Sequence, residues 1–156
     1  MAVAAPSSKR GKRRVGEWSK KCTFRFETVP KTSLSAGAII RAVLLEDAEV
    51  AARTNKIFPV ATDSAELPYI LYRRTALSAN PQKSGQPGAD EIQIEVICFT
   101  ERYSEGVELA EAVRAALDHV SAEHDGMRLR SSYLAESEEA YQDDAFVQQL
   151  VFNINP

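Results

Sequence analysis

Between positions 91 and 99 the chain reads EIQIEVICF, which sets Ile92, Ile94, Val96 and Cys98 on one side of an extended backbone and Glu91, Gln93 and Glu95 on the other. Side chains of a strand alternate between two faces, so only a strand buries this apolar set together. Its far end, with Ile97 and Phe99, is apolar on both faces, the pattern of a sheet with another layer packed over it. That layer follows directly. Ser104 suits a helix cap, and Val107, Ala110, Val113, Leu117 and Val120 then recur at spacings of three and four, while Glu105, Glu108, Glu111 and Asp118 face water. A one-faced strand followed by a one-striped helix needs a helix-on-sheet arrangement to bury both.

The other segments fit that frame. After Ser33, apolar residues at Leu34, Ala38, Ile39, Val43, Leu44 and Val50 predict a helix over about 34–52. Ile57, Phe58 and Val60 give a short extended piece interrupted by Pro59, and Pro68 opens a strand through Tyr69, Ile70, Leu71, Tyr72, Arg73 and Arg74. Residues 78–90 hold two Pro and two Gly with no large apolar side chain and read as a long loop. Beyond Gly126, placed to end the second helix or to make the next turn, Met127, Leu129, Ser131 and Tyr133 alternate with Arg128, Arg130 and Ser132. Residues 146–152 predict a last strand, and the acidic ESEEAYQDD between them reads as a solvated connector. The expected fold is α+β, a mainly antiparallel β-sheet with two helices packed on one face, in the order α-β-β-β-α-β-β. Ile92, Ile94, Val96, Val113, Leu117, Phe146 and Leu150 are its expected core.

Charge divides the chain. Residues 1–31 carry nine Lys or Arg against Glu17 and Glu27, a net of +7; the totals of 19 basic and 22 acidic residues leave 32–156 at −10. Residues 1–16 mix Pro, Ser, Gly and like charge with nothing large to bury, so they read as a flexible basic arm. A short strand over 22–29 follows it, where Cys22, Phe24 and Phe26 alternate with Thr23, Arg25 and Glu27. Residues 32–156 then form a single α+β domain. No apolar run approaches the roughly 18 residues of a membrane helix, and the start has no signal-like apolar core, so no membrane partner and assembly in the cytoplasm are expected.

Catalytic motifs are missing: no GxSxG, Walker loop, GxGxxG or HExxH occurs. Cys22 and Cys98 lack the spacing of a disulfide framework or zinc site, and Cys98 sits in an apolar run as a small core residue. His119 and His124 stand five apart, off the i, i+4 register of a shared helix face, and read as surface histidines near a helix end. No catalytic, cofactor or metal residues are therefore expected, and no enzyme. For Lys9, Arg10, Lys12, Arg13 and Arg14 three roles stay open. They suit nonspecific contact with DNA phosphates, docking on an acidic protein surface, or a solubilising tail. A nucleic-acid-binding accessory protein acting through the arm is the alternative function.

Four segments together resemble a phage tail-completion, or tail-terminator, family: the helix over 34–50, the Leu67-Pro68-Tyr69-Ile70-Leu71-Tyr72 strand, the alternating 91–99 strand and the EGVELAEAVRAAL helix from Glu105 to Leu117. The resemblance spans about 34–156 and rests on fold-bearing residues; the basic 1–31 departs from the short start of that family. It implies a structural virion-tail protein. Its subunits would form a ring, a hexamer, that caps the tail tube protein and meets the head-completion or connector protein. A closed ring needs two unlike complementary patches on each subunit. The arm and a neighbour's acidic 136–144 stretch, with Glu138, Glu139, Asp143 and Asp144, supply one pair. The strand edges or the 78–90 loop, with Gln82, Lys83 and Gln86, are expected near the tail-tube contact.

Overall fold

In the computed structural model, which describes residues 31–63, 65–80 and 90–156, the chain enters its first helix through a 3-10 turn at Ser33–Ser35. Thr32 caps it, its hydroxyl accepting from the Leu34 N–H. The single helix expected over 34–52 is two, α1 at Ala36–Glu46 and α2 at Ala48–Arg53. Asp47 breaks it. Its carboxylate accepts from the backbone N–H groups of Glu49 and Val50, both at 3.0 Å, so its own backbone stays extended while α2 starts afresh. The apolar period runs through the break because Leu44 and Val50 both reach the same core.

Strand β1, Ile57–Pro59, pairs parallel with β2, Tyr69–Ser78. It is shorter than the piece expected. Val60 takes φ 63°, a left-handed value costly for a β-branched residue, and donates its N–H to the Tyr72 carbonyl at 2.8 Å. Strand β3, Glu91–Thr100, and helix α3, Tyr103–Leu117, follow; the helix starts after Arg102 rather than at a Ser104 cap and stops short of Val120. A small hairpin comes next, β4 at Ala122–His124 and β5 at Met127–Leu129, with Gly126 at φ 78° in its turn. The alternating 127–133 run is thus split between this hairpin and the main sheet. Strand β6, Ser131–Gln142, and strand β7, Ala145–Asn155, close the chain.

The five-stranded sheet has the order β1-β2-β3-β7-β6, antiparallel except at β1. The acidic segment read as a connector is most of β6, paired with β7 from Ser131↔Asn155 to Gln142↔Ala145. Only Asp143 and Asp144 turn the corner. Both have positive φ, 51° and 59°, as a two-residue hairpin turn of the I′ kind requires.

All three helices pack on one face. Ile92, Ile94, Val96 and Cys98 are fully buried beneath Leu109, Val113 and Leu117 of α3 and Ile39, Ile40 and Leu44 of α1. Each such aliphatic side chain contributes roughly 1.5–3 kcal/mol. The small residues Ala112, Ala116 and Gly106 let α3 approach closely: a Cβ on Gly106 would lie 2.8 Å from Thr100 Oγ1. Leu150 joins this core, but Phe146 does not. It stays half-buried, with Tyr103 edge-on at 6.0 Å and Tyr141 tilted at 4.9 Å. Cys98 is the small core residue its setting suggests.

Candidate interaction surface

Among the described residues no helix covers the other face of the sheet. Register places Tyr69, Leu71 and Arg73 of β2, Gln93, Glu95, Ile97 and Phe99 of β3, and Val147, Gln149, Val151 and Asn153 of β7 there. Tyr69 and Phe99 stack at 4.7 Å. Burial raises the Tyr69 hydroxyl above its ordinary pKa, and the charge of Asp143 adds to this. At the centre lies Glu95, a carboxylate only 2% exposed on a face the sequence marks as solvated. Arg73 Nε donates to one of its oxygens and Gln149 Nε2 to the other. That bond to Glu95 raises the Arg73 guanidinium pKa further. A second polar row crosses four strands: Thr75 donates to Gln93 at 3.2 Å, Gln93 to Asn153 at 3.4 Å, and Asn153 to the Tyr133 oxygen at 3.3 Å. A buried carboxylate held this way, as Glu95 is, fixes strand register, because a one-residue slip would strand it without partners.

The two sheet edges are unlike. At one, β1 offers three residues ending in Pro59 and the left-handed Val60. At the other, β6 is twelve residues long and exposed throughout 135–142, with a register shift between Leu134 and Glu136. Grooves flank it on both faces. One, of about 410 Å³, is lined by Glu136, Ser137, Glu138, Gln149 and Val151. The other, of about 250 Å³ on the helix side, is lined by Tyr103, Glu139, Ala140, Tyr141, Phe146 and Gln148. There Glu139 accepts from Tyr103 at 3.1 Å and from Gln148 at 3.0 Å. The first of these bonds raises the Tyr103 hydroxyl pKa.

Of the residues singled out in the sequence, Glu138 and Glu139 lie on opposite faces of β6, and Asp143 and Asp144 form its turn. Lys9, Arg10, Lys12, Arg13, Arg14, Gln82, Lys83, Gln86 and the 22–29 strand lie outside the described residues. The surface residues that sequence reasoning passed over are Arg73, Glu95 and Gln149, distant in sequence and joined only by strand pairing, and the aromatic pair Tyr141 and Phe146. His119, at φ 56°, follows α3 and gives its backbone N–H to the Ser132 carbonyl, while His124 ends β4. Among the described residues no three His, Cys, Asp or Glu side chains group to hold a metal, and no helix is long and apolar enough to cross a membrane.

A layer of helices on one face, a polar-cored sheet on the other and one long open edge define an α+β assembly domain. The profile of the tail completion protein gp17 family matches residues 38–155, and the chain belongs to that family. It is thus a structural protein of a phage-type tail. Its fold is also that of a chain in the virion of a native gene transfer agent particle. That match has a TM-score of 0.67 at 19% identity and covers 80% of this chain and 98% of the other. No curated protein sequence matches.

Proposed function

We propose that the chain is a tail terminator: its copies close into a ring, a hexamer, that caps the finished tail tube and presents a surface to head-completion proteins, without catalysis. The observation that carries this reading is the pair of unlike sheet edges on a family member. A ring needs two different complementary patches on each subunit, whereas a two-fold dimer needs one self-complementary patch. An acidic edge strand repels its own copy and welcomes a cationic partner. The arm over 1–31, at +7, supplies that partner for the 32–156 domain, with the strand edges or the 78–90 loop turned toward the tube. The virion setting of the gene transfer agent chain agrees with a place in the particle. Native mass measurement, alone and with tail tube protein, tests it. A closed oligomer on the tube is expected; a monomer with tube present, or particles of normal tail length joined to heads without this protein, overturns it. The alternative role in nucleic-acid binding requires a strongly salt-dependent DNA affinity lost on deleting 1–16.

A further inference from the structure

The reading above leaves open how copies hold one another, and the β6 edge specifies a mode. An edge strand turns every second residue's N–H and C=O away from its partner, and an added strand satisfies these groups while its alternate side chains fall on the two faces. Beyond the shift at Leu134/Glu136, the stretch 136–142 is regular, exposed and seven residues long, and its two faces differ. The helix side is the aromatic groove of Tyr103, Tyr141 and Phe146. The opposite side is the acidic groove of Glu136 and Glu138.

One segment of the chain has the matching pattern. Residues 22–29, CTFRFETV, alternate Cys22, Phe24 and Phe26 with Thr23, Arg25 and Glu27, and Lys20 and Lys21 precede them. Resting on the reading that copies assemble, we propose that residues 22–29 of one copy add as a further strand to the β6 edge of a neighbouring copy. Phe24 and Phe26 then enter the aromatic groove, and Arg25 lies over Glu136 and Glu138. Lys20 and Lys21 extend toward the Asp143-Asp144 end or the Ser131 end, according to strand direction.

Native chemistry offers a direct test, since the chain's other cysteine, Cys98, is wholly buried and silent. Full-length chains carrying Cys22→Ser with Ser137→Cys, Glu138→Cys, Glu139→Cys or Ala140→Cys are mixed with wild type and treated with the mild oxidant diamide. Disulfides between chains are expected at Ser137→Cys or Glu139→Cys, on the helix side that Cys22 shares with Phe24 and Phe26, and at least tenfold less at Glu138→Cys, at Ala140→Cys or with Phe58→Cys on the β1 edge. Adding Phe24→Pro to the wild-type partner should abolish the product. No cross-link at any scanned position, or equal yield at Phe58→Cys, overturns the proposal. So does a single chain bearing both Cys22 and the edge cysteine that closes only within itself. Native mass separates the two readings: a ring without cross-links sinks strand exchange alone, and cross-linked open chains sink the ring alone.

Discussion

At the scale of single residues, two buried groups set chemical limits on the protein. Burial pushes the Cys98 thiol from 9.0 up to about 12. The unfolded chain ionises near pH 9 while the folded one keeps its proton, so this stabilisation is complete below pH 9. It drains away as pH rises toward 12, by about 1.4 kcal/mol per pH unit. Urea midpoints of wild type should fall more steeply between pH 9 and 11 than those of Cys98→Ala; parallel curves would refute the assignment. Glu95 sets the second limit. Arg73→Ala leaves a buried carboxylate held by Gln149 alone and should cost about 2–3 kcal/mol by denaturant titration. Glu95→Gln keeps the shape and releases a half-exposed arginine, so it should cost less; the reverse order would mean Arg73 is ornamental. The place of Cys98 is legible in its apolar run, but that of Glu95 is not, since it occupies the polar phase of an alternating strand and reads as solvated. Its partners lie 22 and 54 residues away.

At the scale of elements, what the sequence shows depends on whether an element buries a face. Strand β3 and helix α3 each bury one fully, and their periods of 2 and 3.6 stand out. Strand β6 buries almost nothing beyond Ser132, so Glu136, Glu138 and Glu139 carry no alternation and the strand passes for a connector. Its pairing is dictated from β7, whose Leu150, Phe152 and Ile154 are locked in the core. The break at Asp47 is hidden for the opposite reason, since the apolar stripe continues across it. The β6–β7 turn is a testable weakness. Two aspartates in left-handed geometry cost more than the Asn-Gly pair such turns favour. Replacing Asp143 by Asn and Asp144 by Gly should stabilise the hairpin by about 1 kcal/mol, read as a higher Tm. A loss of stability would show that the carboxylates at this tip hold structure together.

At the scale of the whole molecule, opposite net charges on residues 1–31 and 32–156 make association sensitive to salt. Deleting 1–16 removes five cations and should weaken self-association several-fold at 50 mM salt. The difference should shrink near 500 mM, where screening is short-ranged. A salt-independent deletion effect would point away from an electrostatic tether. The two unlike edges carry a further consequence. Because β1 ends after three residues in Pro59 and Val60 while β6 lies open over 136–142, the sheet can widen on one flank only. Each copy then has a valence of one for incoming strands, and because it also gives one, head-to-tail pairing ends only where the turn between neighbours closes it into a ring.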